Sequence, residues 1–472
     1  MLNNEDFRKH AHDLVDWMAD YLENVEDYPV MASVKPGDIK KQLPLSFSEE
    51  SESFEALMQD FEKIILPGIT HWESPNFFAY FPASKSKASV LAEMITATLG
   101  VQGMVWLTSP AATELEDRMM EWMRDLLGLP QSWTGSIQDT ASSGTLNALL
   151  TAREKISNFS INQKGFGGMP VYRIYCSREA HSSIDKDVKI AGFGLDNLVK
   201  IPVDENFAMI PEKLEAAISE DLQKGFHPLF VMAAMGTTSS TAVDSIESIA
   251  KITEKHKLWL HVDAAYSGAA LVASEFRWMS KGIEKADSLV FNPHKWLFTN
   301  FDCSLYYVKD AQALKNTFSI MPEYLKTGAD EQVNNYRDWH IQLGRRFRSL
   351  KLWFVVRNYG AEGLRKIIRQ HCEWANWLKE QIEAHPDFEM LAPVSVNLVC
   401  FRFNNSKMSE EELNSFNEKL LWQINEEGKI FMTHTKLNGK YTIRWVGGHP
   451  DLTKAHVENA WEIILQKVKT TS

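Results

Sequence analysis

The chain has 472 residues, with 50 Lys+Arg against 62 Asp+Glu for a net charge of −12, so its surface repels polyanions and nucleic-acid binding is disfavoured. With 44% hydrophobic and 24% charged residues it is globular rather than disordered, and long enough for two or three domains. No apolar run approaches the ~18 residues of a membrane span, and the opening Asn3-Asn4-Glu5-Asp6 lacks the basic-then-apolar form of a signal peptide, so a soluble, cytoplasmic protein is expected.

In the first segment Phe7, Ala11, Leu14, Val15, Met18 and Leu22 recur at helical spacing, as do Phe54, Leu57, Phe61, Ile64 and Ile65. Between these amphipathic helices Pro29, Pro36 and Pro44 favour extended chain. Two apolar stripes without a core of their own must dock on a neighbouring domain or a second subunit. From about residue 115 helices and strands alternate. A helix over 114–127 precedes a short strand near Ile137, a helix after Ser142, a strand over 171–176 and a helix after Ala180. Further strands are predicted at 198–203, 229–235, 258–263 and 288–292. The pattern is that of an α/β domain with a mostly parallel sheet, whose ligands sit at the carboxyl ends of the strands. After Tyr336 a long helix runs to Gly360, its predicted end. A smaller domain follows, with strands at 396–403 and 441–446 and helices at 411–426 and 454–469. Trp17, Trp122 and Trp353 fall at helical positions and are expected in the core. Cys176, Cys303, Cys372 and Cys400 are widely spaced in apolar surroundings and read as reduced packing residues.

Two strand ends carry the chemistry. Lys295 follows the apolar run 288–291 in Phe291-Asn292-Pro293-His294-Lys295-Trp296; taken alone it reads as a solvated surface lysine. Asp263 ends Leu258-Trp259-Leu260-His261-Val262-Asp263 and is followed by Ala264 and Ala265; alone it fits a helix cap or a structural ion pair. Together they suit pyridoxal phosphate, which needs a lysine for its Schiff base and a carboxylate to keep its pyridine nitrogen protonated. The two alanines leave room for a flat ring. Asp139-Thr140-Ala141-Ser142-Ser143-Gly144-Thr145 places small polar residues at a helix start suited to a phosphate, although a plain N-cap would look the same.

With these motifs on the page, the chain resembles the group II pyridoxal phosphate-dependent decarboxylases, and within them the aromatic-L-amino-acid decarboxylases. The resemblance covers nearly the whole chain. Its most specific marks are Asn292-Pro293-His294-Lys295-Trp296, His261-Val262-Asp263-Ala264-Ala265-Tyr266, the stretch from Ser74 to Pro82 and that from Leu343 to Lys351. It implies a fold-type I (aspartate aminotransferase-like) α/β fold: a helical N-terminal dimerisation arm over 1–85, a large domain with a mostly parallel seven-stranded sheet over 86–360, and a small C-terminal α+β domain over 361–472. It also implies a homodimer with active sites at the subunit interface. By motif position Lys295 carries the cofactor and Asp263 holds its ring nitrogen. His181, in Ala180-His181-Ser182-Ser183, stacks on the ring; without the resemblance it is an ordinary helix-start residue. Ala141 and Ser142 cradle the phosphate, and Thr238, Ala265, Asn292 and His294 complete the cofactor site, with Asp244 placed to orient the lysine. Trp72, Tyr80, Phe81 and Pro82 match an aromatic wall of the substrate site, joined by Met104 and Gly360. Ala83 stands where animal enzymes have threonine, and Met104 where they have phenylalanine.

Tyr336, at the end of a mobile loop of about 321–336, matches a tyrosine that reprotonates the substrate α-carbon, where aldehyde-forming relatives carry phenylalanine. Outside the resemblance it is a half-buried linker residue. The expected reaction is decarboxylation of an aromatic L-amino acid (tryptophan, 5-hydroxytryptophan, DOPA, tyrosine or phenylalanine) to its arylalkylamine. The alternatives are a glutamate-type decarboxylase, an aromatic aldehyde synthase and a catalytically silent binding protein. An acidic substrate would need an arginine, which the wall sequence does not contain. Gly165-Phe166-Gly167-Gly168 is too loose for a dinucleotide fingerprint, and His71, His181, His261 and His294 lack metal-ligand spacing.

Overall fold

A computed structural model describes residues 2–46, 49–320 and 332–471. The chain divides into two compact units: Ala83–Asn376 with Ala392–Val399, and the remainder, which is the chain up to Pro82, Trp377–Leu391 and the chain from Cys400.

The larger unit is built on a seven-stranded sheet among the described residues. Its strands are β1 (Thr134–Gln138), β2 (Tyr172–Ser177), β3 (Leu198–Ile201), β4 (His227–Ala234), β5 (Trp259–Asp263), β6 (Ser288–Phe291) and β7 (Ser304–Val308), in the order β1-β7-β6-β5-β4-β2-β3. The ladders from β3 through β2, β4 and β5 to β6 are parallel; β7 runs antiparallel to both β6 and β1. Strand β7 is absent from the sequence expectation. Every residue in it is buried, so it has no alternation to betray it. Leu149 of the Ala141–Ile156 helix and Ile184 and Val188 of the Ser183–Ile190 helix pack in one cluster with Ile174, Cys176, Phe230 and Met232 of the strands. Each such aliphatic side chain contributes about 1.5–3 kcal/mol, which pins these helices and the loops that lead into them. Gly144 allows the close approach: a Cβ there would lie 2.7 Å from Cγ2 of Val290. Gly360 ends a helix as expected: its φ of 64° and ψ of 166° are non-helical and divide the Arg348–Ala384 segment into two helices at a kink.

The smaller unit contains most of a four-stranded sheet, with β8 (Phe388–Met390), β9 (Leu398–Phe403), β10 (Thr433–Leu437) and β11 (Lys440–Val446) in the order β10-β11-β9-β8. Strand β10 is also unforeseen. Its signal is Asn438-Gly439, both at positive φ, which closes the tight β10–β11 hairpin. The Asn4–Glu23 helix starts at Asn3, whose side chain accepts from the amides of Glu5 and Asp6. The N-terminal segment is not a body apart from the C-terminal one, as a separate 1–85 arm would be. Backbone bonds from Val30 N to Gly428 O, Phe78 N to Phe431 O and Val446 N to Phe78 O stitch the two together.

All four cysteines are buried and outside any disulfide. Trp122 departs from expectation: it is 40% exposed, while Trp133, Trp296, Trp339 and Trp445 are fully buried. Among the described residues no helix is long and apolar enough to cross a membrane.

Candidate active site

Asp263 and Lys295 meet because β5 and β6 are parallel neighbours ending on the same edge of the sheet, with Asp263 in register with Val290. The chain leaves β6 through Asn292 into the short Pro293–Trp296 helix, where proline at the first position suits the turn. Within this turn the Lys295 amide donates to the Asn292 carbonyl at 3.0 Å. The half-buried Lys295 amine is held below its ordinary range by burial, opposed by the Asp263 carboxylate. Asp263 Oδ1 accepts from the Ala265 amide at 3.0 Å, which holds the carboxylate at the strand end. His181 follows β2. Its Nδ1 accepts from the Ser183 amide at 3.2 Å and lies 2.9 Å from the Ser183 hydroxyl, an arrangement that leaves Nε2 to carry the proton of the neutral ring. The ring stays open to solvent, yet the surrounding protein lowers its pKa; the Asp263 charge opposes that shift and Lys295 reinforces it. The three groups therefore share one electrostatic site.

The rest of the predicted set is arranged around them. The Ala141–Ile156 helix begins at Ala141, with the Thr140 hydroxyl facing the Ser143 amide at 3.4 Å. Small side chains at Ala141, Ser142 and Ser143 let an anion approach the first-turn amides. Thr238 is half-buried in the turn after Gly236, where a Cβ would come within 2.0 Å of Ser267 Oγ; only glycine fits. Ala265 is half-buried beside Asp263. Asn292 Oδ1 accepts from the Ser304 hydroxyl at 2.6 Å, and His294 Nδ1 accepts from the Cys303 amide at 2.9 Å. Burial, with Lys295 next, pushes the His294 ring down to about 3, so it stays neutral. Both residues brace the lysine turn against β7. Asp244 accepts from the backbone amides of Ala234 and Met209, each at 2.7 Å, and burial raises it to about 6. A partly buried amine, a carboxylate at the next strand end, a neutral imidazole and an approachable helix start are the donor set that pyridoxal phosphate requires, so the residues present fit that group.

Tyr336 is placed differently from expectation. The 321–331 part of the expected loop lies outside the described residues. Tyr336 itself is 1% exposed in the short Tyr336–Trp339 helix. Its hydroxyl donates to Asp117 Oδ1 at 2.5 Å, and the Arg345 guanidinium lies 4.6 Å from its ring centre. Burial, then the charges of Glu116 and Asp117, push its phenol well above the ordinary range, so it keeps its proton. Met104 is nearby, its carbonyl accepting from the Arg337 amide at 2.9 Å. At Gly360 a Cβ would meet nothing within 4 Å.

In the smaller unit Trp72 stacks on Phe77 and on Tyr80, at 4.4 and 5.7 Å between ring centres. Pro82 is buried and Phe81 half-buried. The buried Arg444 lies 5.6 Å over the Phe81 ring, donating to Thr433 Oγ1 and to the Tyr80 carbonyl. It comes from β11, far from the wall in sequence, which is why the wall motif does not show it.

Sequence reasoning also missed three carboxylates. Asp187 in the Ser183–Ile190 helix is 3% exposed, its Oδ2 has no hydrogen-bond partner, and burial together with the Asp263 charge raises it to about 8. Glu116 forms a buried ion pair with Arg345, at 2.6 and 2.9 Å. Asp117 receives Tyr336. The available signal was acidic residues on apolar helix stripes: Asp187 beside Ile184 and Val188, and Glu116 between Ala112 and Met120.

Comparison with known proteins is consistent with this geometry. A family model described as the pyridoxal-dependent decarboxylase conserved domain matches residues 36–404. Phenylacetaldehyde synthase of Arabidopsis thaliana is 42% identical over 476 residues, covering 99% of this chain and 96% of its own length. Tyrosine decarboxylase 4 of Petroselinum crispum is also 42% identical, over 98% of this chain and 93% of its own. The crystal structure of Oryza sativa TDC with PLP and tryptamine superposes with a TM-score of 0.96 at 35% identity, covering 100% of this chain and 99% of that one.

Proposed function

The chain belongs to the pyridoxal-dependent decarboxylase family, a carboxy-lyase using pyridoxal phosphate, and from that premise we propose that it converts an aromatic L-amino acid to the corresponding arylalkylamine and carbon dioxide. The observation that carries the reading is the convergence of Lys295, Asp263 and His181 at the carboxyl edge of the sheet, together with tyrosine rather than phenylalanine at position 336.

When bound, pyridoxal phosphate supplies an electron sink for the pair left on the α-carbon as carbon dioxide departs. Lys295 would hold it covalently, and its burial, which lowers its basicity, favours the free amine needed for that bond. The Asp263 carboxylate would hold a proton at the ring nitrogen, and the amides of Ala141 and Ser142 would bind the phosphate. His181, neutral and protonated on Nε2, contributes a flat ring and one N–H donor. Tyr336 delivers a proton to the α-carbon, for which its phenol is suited because it remains protonated throughout the working range.

Support for an aromatic substrate comes from the similarly named relatives and from the Trp72–Tyr80 stack. Relatives named for amine-forming and aldehyde-forming reactions match equally well in identity, so overall similarity does not choose between the two outcomes. A homodimer is part of the proposal. Leu91, Ile95 and Leu99 form an exposed apolar stripe on the Lys87–Leu99 helix, and Phe7 is exposed in the N-terminal segment, surfaces that a second subunit would cover.

The test is to incubate purified protein and its Tyr336→Phe variant with each aromatic amino acid and quantify amine, aldehyde and carbon dioxide. The wild type should yield amine. The variant should still release carbon dioxide but shift toward aldehyde with ammonia and peroxide, at the expense of dioxygen. Amine alone at an undiminished rate from the variant would remove Tyr336 from the mechanism, and aldehyde from the wild type would make the protein a synthase.

A further inference from the structure

We propose that Tyr266 and Trp296 are positioning residues, a stacked pair that sets the spacing between Asp263 and Lys295; this rests on the cofactor roles given to those two groups above. The aldehyde carbon and the ring nitrogen of pyridoxal phosphate lie at opposite ends of one rigid ring, so the lysine and the carboxylate that serve them must be held a fixed distance apart. Ladder pairing of β5 with β6 stops at Asp263 and Val290, five residues short of the lysine. Two ties bridge that gap. The Asn292 amide donates to the Ala265 carbonyl at 3.2 Å. Beyond it the rings of Tyr266 and Trp296 stack, with centres 5.2 Å apart and planes 9° from parallel. Tyr266 follows Asp263 by three residues and Trp296 is next to Lys295, so each ring is carried by the same stretch of backbone as its functional neighbour. The lysine therefore leaves a turn anchored on both sides, at Asn292 and at Trp296.

Bonds at the rims of both rings separate this pair from ordinary core packing. Both residues are fully buried. The Tyr266 hydroxyl accepts from Asn397 Nδ2 at 2.7 Å, and the Trp296 indole N–H donates to His371 Nδ1 at 2.9 Å, with the imidazole 13° from the indole plane. Phe298 meets the same imidazole edge-on, 6.1 Å between centres. A stack alone lets two rings slide over one another, whereas a directional bond at each rim removes that freedom. Asn397 immediately precedes β9, and His371 lies in the second helix of the Arg348–Ala384 segment, so the pair is fixed to two elements outside the β5–β6 ladder. A rigid cofactor cannot absorb an error in the spacing, and a misplacement of about 1 Å at a reacting group costs on the order of a hundredfold in rate.

The experiment compares the wild-type holoenzyme with Tyr266→Leu, Trp296→Leu, the double variant and Tyr266→Phe. Cofactor affinity is read by equilibrium dialysis of each holoenzyme against graded pyridoxal phosphate, and the visible band of lysine-bound cofactor is titrated with pH. Each leucine substitution should weaken cofactor binding on the order of tenfold, the upper end of what an aromatic pair contributes, and should move the pH midpoint of the band, because the Asp263 charge no longer stands at its set distance from the lysine nitrogen. Tyr266→Phe keeps the ring and gives up one rim bond, so it should lose less than Tyr266→Leu. The double variant should bind within about twofold of the weaker single variant, since one contact is removed either way. Effects that multiply overturn the pairing.

Affinity and pH midpoint at wild-type values in both leucine variants overturn the proposal, whatever happens to stability. Leu314→Ala, a fully buried change in the Ala311–Phe318 helix, is the control. It should lower the urea midpoint and leave both cofactor readouts unchanged; if it moves them as far as the leucine variants do, the stack acts through general stability and the proposal falls. Should a leucine variant not fold, Tyr266→Met or Trp296→Met, which fills more of the space without offering a ring face, takes the same test. Wild-type protein that retains no pyridoxal phosphate would sink the cofactor reading and this proposal together, whereas retention by the wild type with unaltered variants sinks this proposal alone.

Discussion

Replacing Asp187 by asparagine should stabilise the protein increasingly as pH rises. Asp187 is buried with Oδ2 unpartnered, and its carboxyl is raised from 3.8 to about 8, burial contributing most, the Asp263 charge next, and Lys186 opposing. In the unfolded chain the same group ionises near pH 4. Between about pH 4 and pH 8 the folded state therefore binds more protons than the unfolded state, so stability falls as pH rises through that window. At about 1.4 kcal/mol per pH unit, the accumulated loss is on the order of 5 kcal/mol at pH 8. Asparagine carries no such charge. Its NH2 leaves two unpaired N–H donors where the protonated carboxyl leaves one O–H, a cost that does not change with pH. Urea unfolding of both proteins at fixed protein and cofactor concentration, from pH 4.5 to 8.5, measures the difference. The advantage of Asp187→Asn should be small near pH 4.5 and grow by about 1 kcal/mol or more per unit toward pH 8. A difference that does not change with pH, or a variant less stable at pH 8, would refute the buried-acid reasoning.

Lys295→Ala should abolish the visible absorbance of lysine-bound cofactor along with turnover, whereas borohydride treatment of the wild type should label the Lys295 peptide; a variant that keeps the band and the activity would displace Lys295 from its role. Asp263→Asn should retain some cofactor and lose most of its turnover, since the amide cannot hold the ring proton; a rate within about threefold of wild type, under ~1 kcal/mol of barrier, would leave Asp263 only a structural part. Arg345→Leu should cost about 3–5 kcal/mol of unfolding free energy, because it leaves Glu116 buried and uncompensated among partners within 2.6–2.9 Å. A loss below ~1 kcal/mol would show that water reaches the pair.

What the sequence by itself determined was local. Asp263 and Lys295 were legible because each ends a continuous apolar run followed by small or turn-forming residues, and such runs announce buried parallel strands whose carboxyl ends meet at one edge. The helix start at Ala141 was legible as well, since Thr140 caps it by accepting from the Ser143 amide three residues on. The helix end at Gly360 was legible too, since its positive φ suits glycine, whereas periodicity ran out where burial is complete, as in β7.

Only the tertiary structure decided which distant groups face one another. Tyr336 and Asp117 are 219 residues apart, and Arg345 reaches Glu116 across 229. Neither partner's neighbourhood in the chain hints at the other. Arg444 likewise reaches the aromatic wall from β11, and Asp187 feels Asp263 because the Ser183–Ile190 helix packs on the sheet. Hydrogen bonds and charge–charge interactions depend on distance in space and on exclusion of water, quantities that only packing sets, whereas capping, turn formation and hydrophobic period act over a few bonds and are written in the order of the residues.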